Sequence, residues 1–178
     1  SASEQDHVKA LVNLGMMYEK GRGVARNYEA AVKFYSKAAV KGDPKAAFNL
    51  AALYRRGHGV EQSNEHAARY LRQAAESGNP KAQYNLSMTL LRGDLGSERD
   101  PNAAKRWLQR AAAASPEVAG KANYGLAVAA LATEGEGKDA GGNSVTDGGS
   151  TLEYFLLAAQ TGYGPAQYTL GTMYLRGS

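Results

Sequence analysis

The stretch that decides the fold is residues 46–75, AAFNLAALYRRGHGVEQSNEHAARYLRQAA. It begins with an Ala followed four residues later by Leu50, and it ends with Tyr70 followed four residues later by a pair of alanines. Residues four apart lie on one face of an α-helix, and Ala lets a second helix approach closely. The stretch therefore predicts two helices that pack together, separated by a turn at Gly57 and Gly59.

Both phrases recur through the chain. The Ala-to-Leu phrase begins at Ala10, Ala46, Ala82, Ala122 and Ala166, and its leucines are 36, 36, 40 and 44 residues apart. The aromatic phrase falls between consecutive copies, at Phe34, Tyr70, Trp107 and Tyr154. A period of this length with two helices per unit is typical of helical solenoids. We predict one all-α repeat domain over 1–178, with units at about 6–41, 42–77, 78–115 and 116–162 and a partial fifth at 163–178.

The turn residues agree with these units. Asn27 and either Ser63 or Asn64 are good caps for the second helix of the first two units. Before the next first helices, a Gly is followed by a capping residue and a Pro, in Gly42-Asp43-Pro44 and Gly78-Asn79-Pro80. The extra residues of the fourth unit fall around 133–150, and this Gly-rich segment predicts an inserted flexible loop.

One complete unit carries a pattern that resembles a known repeat. Its residues are Leu14-Gly15, Tyr18, Gly21-x-Gly23-Val24, Ala31, Phe34-Tyr35, Lys37-Ala38-Ala39 and Gly42. The chain is thereby similar to the Sel1-like repeat family, a relative of the tetratricopeptide repeat. The resemblance implies a right-handed α-solenoid superhelix of antiparallel helix hairpins, and a role as an adaptor in signalling, secretion, cell-envelope or quality-control assemblies. Ala51 and Ser87 replace the Gly of this pattern in the next two units, which predicts looser packing there.

The resemblance to tetratricopeptide superhelices also implies a concave groove lined by the first helices. We predict that a partner binds there, to Arg55, Arg56, Arg92, Arg176, Tyr84, Tyr124, Tyr168 and Met88. The arginines would give an acidic peptide bidentate contacts, although solvated surface explains them equally well. The tyrosines have a second interpretation, as aromatic wedges between adjacent helices.

The sequence offers no constellation for catalysis or for a cofactor. Its three histidines, His7, His58 and His66, form no spaced cluster with carboxylates. Gly137-Lys138 lacks the leading Gly of a phosphate loop, and the acidic residues near it do not match a calcium loop. We therefore predict a scaffold or adaptor that is not an enzyme and holds no cofactor or metal. Two alternatives remain, an RNA-binding helical repeat module and the non-catalytic repeat region of a larger enzyme.

Composition bounds the class of protein. Of the 178 residues, 43% are hydrophobic and 21% are charged, the net charge is +4, and there is no cysteine. These values predict a folded, soluble domain whose mild positive charge favours an acidic partner and falls short of a dedicated nucleic-acid binder. Without an apolar run of eighteen residues or a signal-like start, we expect no membrane insertion. The compartment stays open between the cytoplasm and an exported location, the periplasm or the ER lumen.

The sequence stops inside the fifth turn motif, at Arg176-Gly177-Ser178. The last first-type helix then has no second helix in this sequence. We expect that the chain is a fragment of a longer protein, or that this terminal helix packs against another chain, for example in a homodimer.

Overall fold

The computed structural model of the chain describes residues 2–133 and 151–176. These residues form α-helices joined by turns, and no strand occurs among them. The helices are α1 (Ala2–Lys20), α2 (Tyr28–Val40), α3 (Pro44–Arg56), α4 (Asn64–Glu76), α5 (Pro80–Arg92), α6 (Pro101–Ala114), α7 (Pro116–Thr133), α8 (Thr151–Gln160) and α9 (Gly164–Arg176). The predicted loop at 133–150 lies, beyond Thr133, outside the described residues.

Side-chain caps fix where α2, α3, α4, α5 and α6 begin. The carboxylates of Asp43 and Asp100 each accept a hydrogen bond of 2.8 Å from the amide three residues on, and Asn27 and Asn79 do so at 2.9 Å. Each bond satisfies an amide that the helix itself leaves without a partner. At α4 the cap is Ser63, whose hydroxyl accepts from the amide of His66. The structure thus decides between the two residues that the sequence allowed.

The helices pack in chain order, each against its neighbours in sequence. Pairs α1–α2, α3–α4, α5–α6 and α7–α8 form hairpins, and the first helix of each hairpin also packs on the second helix of the hairpin before it. Such progression along the chain is the property that separates a solenoid from a closed bundle. The predicted α-solenoid of helix hairpins is confirmed.

The Ala-to-Leu phrase forms the core in four of its five copies. Its alanines and leucines are buried in α3, α5, α7 and α9, as Ala46, Leu50, Ala82, Leu86, Ala122, Leu126, Ala166 and Leu170. The copy in α1 differs, because Leu14 is 38% exposed and Ala10 is also exposed. No described helix covers that side of α1. The phrase therefore marks a helix face that packs on a preceding hairpin. In α1 this face is exposed.

In the first three hairpins, a second pair of positions, one on each helix, changes in side-chain volume in opposite directions. In the first hairpin, Gly15 lies against the ring of Tyr35, which is fully buried. The next two hairpins have Ala51 and Ser87 at the position of Gly15, and Leu71 and Leu108 at the position of Tyr35. Ala51 and Ser87 are both buried.

Candidate partner-binding cavity

A cavity of about 440 Å³ opens between α3, α4 and α5. We call it the α3–α5 cavity. Its apolar lining comes from Phe48, Ala51, Ala52, Ala67, Leu71, Tyr84, Met88 and Leu95, and its polar lining from Arg55, Arg56, Asn85, Thr89, Arg92 and Asp94. A volume of this size holds one or two amino-acid side chains and lies at the lower end of ligand pockets in general.

Three arginines supply the positive charge of this cavity. Arg55 and Arg56 lie in the last turn of α3, and Arg92 lies in the last turn of α5. All three side chains are exposed, and among the described residues none forms a salt bridge with a carboxylate. Part of their presence is explained by the helices, since a cation near a helix C-terminus is stabilised by the helix dipole. Their guanidinium donors nevertheless remain available to a ligand.

Tyr84 joins the apolar wall to the positive end. Its ring is half-buried and packs on the core cluster shared by α6 and α7. Burial raises the pKa of its hydroxyl, the neighbouring phenol of Tyr163 raises it further, and the guanidinium of Arg92 partly opposes both effects. The hydroxyl therefore stays protonated around neutral pH and offers a neutral donor beside Arg92.

The structure brings together five of the eight predicted site residues. Arg55, Arg56, Arg92, Tyr84 and Met88 all line the α3–α5 cavity. The other three, Tyr124, Tyr168 and Arg176, are absent from its lining.

Tyr124 packs edge-on against Phe155 and Tyr163, with ring centroids 5.5 and 5.4 Å apart, which matches the interpretation of an aromatic wedge between helices. Tyr168 and Arg176 are exposed on α9. Site residues that share a register position in the sequence therefore have different surroundings in different hairpins.

Sequence reasoning missed several residues of the cavity, of which Leu95 is the clearest. It closes one wall from the turn after α5 and has a left-handed backbone, with φ of 55°. In the two earlier turns every residue with a left-handed backbone is a glycine, as at Gly23 and Gly59, with φ of 74° and 72°. A side chain in this conformation is strained by roughly 1–2 kcal/mol. The only sign of this wall in the sequence was that the turn between Gly93 and Asp100 is one residue longer than the turns of the two earlier hairpins.

The histidines of the second hairpin have packing roles. The ring of His58 lies 4.6 Å from that of Tyr28, and the ring of His66 stacks on Tyr54 at 4.9 Å. His66 Nδ1 also lies 2.9 Å from the hydroxyl of Ser63, the residue that caps α4. Within residues 2–133 and 151–176, no three His, Asp or Glu side chains are grouped as metal ligands would be. Across the same ranges, no helix combines the length and the apolar character needed to span a bilayer.

Comparison with known proteins adds evidence from outside the chain. A family model described as Sel1 repeat matches residues 8–43, 44–79, 80–116 and 164–178. The hairpin α7–α8 lies between the last two matches. A search of curated proteins finds no match.

Two similar solved structures cover nearly the whole chain. A Sel1 repeat protein from Oxalobacter formigenes is 29% identical, with a TM-score of 0.80 over 96% of this chain. A protective antigen present in uropathogenic Escherichia coli strains, which displays an SLR fold, is 30% identical, with a TM-score of 0.61 over 99% of this chain. The present chain spans 65% of the first structure and 43% of the second.

Proposed function

Because this chain belongs to the Sel1 repeat family, whose repeats generally mediate protein–protein interaction, we propose that it is a scaffold that binds an acidic peptide segment of a partner protein at the α3–α5 cavity. One observation carries the proposal. Three guanidinium groups without a salt-bridge partner among the described residues line a cavity that also has an apolar wall.

Apolar walls and arginines call for two features in the same ligand. An aliphatic or aromatic side chain fills the space between Phe48, Tyr84 and Met88, and its burial provides affinity without strict geometry. Carboxylates beside that side chain meet Arg55, Arg56 and Arg92, whose planar groups bind them through paired hydrogen bonds. Asp94 is the one carboxylate in the lining, and it disfavours ligands that place an acid on its side.

The role proposed for the module is assembly or regulation rather than catalysis. The Sel1 repeat family is typically a non-catalytic scaffold. A surface built from repeated hairpins offers a partner contact area along its length. The chain spans only part of the two similar structures. The partner that the whole protein binds, and any activity that it has, are therefore part of the proposal.

A second candidate is self-association through α9. Its outward residues Tyr168, Tyr174 and Leu175 are 76%, 73% and 89% exposed, which leaves apolar surface available to another chain. Sedimentation over a wide range of protein concentration tests this candidate. A mass that stays at that of one chain throughout would contradict it.

The cavity is tested with a peptide array in which an acidic residue stands beside Leu or Phe, read out by fluorescence anisotropy for the best binders. We expect Arg55→Glu/Arg56→Glu/Arg92→Glu to weaken binding by on the order of 100-fold, because charged hydrogen bonds are replaced by repulsion. The matched control is Lys33→Glu/Arg69→Glu/Arg106→Glu, which changes the net charge equally at residues that do not line the cavity and should bind nearly as the wild type does.

Equal loss in the two triple variants would mean that charge acts only at long range, and the site would then lie elsewhere. Unchanged binding by the arginine variant would have the same consequence. Steeply salt-dependent binding of an RNA oligonucleotide, with no peptide bound, would favour the RNA-binding alternative instead.

A further inference from the structure

The second helices of the first three hairpins share a basic outer face. We call it the outer basic face and define it by Lys33, Lys37, Arg69, Arg72, Arg106 and Arg110, all of which are exposed. Lys33, Arg69 and Arg106 stand at the same register position, directly before the aromatic residue of each helix. None of the six lines the α3–α5 cavity, so the proposed function leaves this face unused.

The helices that carry these six cations offset only part of their charge. Among the described residues, none of the six forms a salt bridge. The same helices expose three carboxylates, of which Glu29 and Glu65 lie in first turns, where the helix dipole favours an acid, and Glu76 lies at the end of α4. Each of these carboxylates lies four residues from one of the six cations, so the face keeps an excess of positive charge but also has the opposite-charge pairs of a solvated helix face.

The fourth hairpin continues this face with leucines. Leu156 and Leu157 of α8 occupy the register positions of Gln109 and Arg110 in α6. Leu152 is 44% exposed, Leu156 is 37% exposed and Leu157 is 40% exposed. The outer side of the solenoid is therefore basic over three hairpins, and on the fourth it exposes leucines beside Glu153, which occupies the register position of Lys33, Arg69 and Arg106.

We propose that the outer basic face and the leucines of α8 form a docking surface for an anionic lipid bilayer. Lipid phosphates meet the lysines and arginines, while the three leucines reach the boundary between headgroups and acyl chains. Lipids diffuse laterally to meet each cation, so the surface needs no deep pocket. A nucleic acid would also meet the cations, but the exposed leucines would then have no counterpart. The chain lies on such a membrane without crossing it.

The expected affinity follows from the number of groups involved. Each cation near an anionic membrane strengthens binding by about fivefold, and this contribution fades when salt shortens the screening length. Partial burial of two leucines adds roughly tenfold, and that part is insensitive to salt. Binding should therefore require anionic lipid, weaken in high salt, and depend on both halves of the face.

The test is co-sedimentation of the whole chain with vesicles of phosphatidylcholine alone and of phosphatidylcholine with phosphatidylglycerol. We expect binding to the mixed vesicles only, reduced by on the order of 100-fold in Lys33→Glu/Arg69→Glu/Arg106→Glu and by about tenfold in Leu156→Gln/Leu157→Gln. The matched control is Arg55→Glu/Arg56→Glu/Arg92→Glu, which carries the same charge change at the cavity and should retain most of the binding. Circular dichroism and thermal unfolding confirm that each variant is folded.

Three results would overturn the proposal. They are no binding to mixed vesicles by the wild type, equal loss in both triple variants, and wild-type binding by the leucine variant. Tight binding of an RNA oligonucleotide that is lost in the outer triple variant, without vesicle binding, would assign the face to nucleic acid and likewise overturn it. Loss of peptide binding at the cavity would not affect this test, because the two surfaces carry separate variants.

Discussion

Gly59 lies where the turn after α3 touches the backbone at the start of α2. Its φ is 72°, and a Cβ there would overlap the carbonyl of Tyr28 and the amide of Glu29. Beside it, His58 packs on the ring of Tyr28, and the guanidinium of Arg26 lies 5.4 Å from the centre of the same ring. These contacts join the second hairpin to the first through backbone that cannot move aside.

At this site we expect Gly59→Ala to lower the free energy of unfolding by about 2–4 kcal/mol, because a left-handed backbone and a forced displacement add together. Gly42→Ala is the matched control. Its φ is 85°, but no atom lies within 4 Å of the added Cβ, so only the backbone cost of roughly 1 kcal/mol remains. Urea denaturation followed by circular dichroism measures both. Equal losses would show that the turn tolerates a side chain at Gly59.

Among whole elements, the pairing of α1 with α2 depends on the smallest residue facing one of the largest. A Cβ at Gly15 would stand 2.5 Å from Cε1 of Tyr35, whose ring has no exposed surface. The hydroxyl of Tyr35 donates a 2.7 Å hydrogen bond to Glu19, and burial, followed by this carboxylate, raises the pKa of the tyrosine far above its usual range. The ring therefore has little freedom to retreat.

For this pair we expect Gly15→Ala to lower stability by about 2–4 kcal/mol, as overpacking of a filled core does. Tyr35→Leu restores the combination that α3 and α4 use, with Ala51 and Leu71. The double variant should therefore be more stable than the sum of the single changes predicts, by at least about 1.5 kcal/mol. Thermal and urea unfolding of the wild type, the two single variants and the double variant measure how the two positions affect each other. Changes in the free energy of unfolding that simply add would contradict the idea that the two side chains share one volume.

Most of the element order could be predicted from the sequence, because the signals were local. Caps such as Asp43 and Asn79 act on amides three residues away, so their spacing alone locates a helix start. The exposure of Leu14 could not be predicted in the same way. It ends the same Ala-x-x-Asn-Leu phrase as the buried Leu50, and the difference is whether another hairpin packs on the helix.

At the scale of the whole molecule, apolar burial is uneven along the solenoid. The largest core cluster runs from α1 to α6, and two smaller clusters follow it, one around Leu108 and Leu126 and one around Phe155 and Leu170. In a solenoid each hairpin is stabilised by its neighbours only, so stability should vary along the chain with this burial.

Hydrogen exchange measures that variation. We expect amides of α3, α4 and α5 to exchange more than about tenfold more slowly than those of α8 and α9, because more buried residues surround them. Mass spectrometry of peptides from each helix provides the comparison. Uniform protection from α1 to α9 would show that the molecule opens as one cooperative unit and would contradict the nearest-neighbour picture.

The candidate site was only partly predictable because register does not determine surroundings. The arginines at the ends of α3 and α5 follow from the repeat, and the structure places them around one cavity. Tyr84 and Tyr124 share a register position, yet one lines the cavity and the other packs against Phe155. That difference depends on the neighbouring hairpin, as does the wall formed by Leu95, and a repeat pattern contains no information about it.

The opposed sizes of Gly15 and Tyr35 have a consequence for the order of the hairpins. If α1 and α3 were exchanged, the methyl group of Ala51 would meet the Tyr35 ring and the space opposite Leu71 would be left partly empty. Units that look alike in a sequence comparison are therefore not interchangeable parts. A variant with its hairpins in another order would keep the repeat pattern but lose the close packing between facing side chains. The sequence therefore specifies the order of the hairpins as well as the fold.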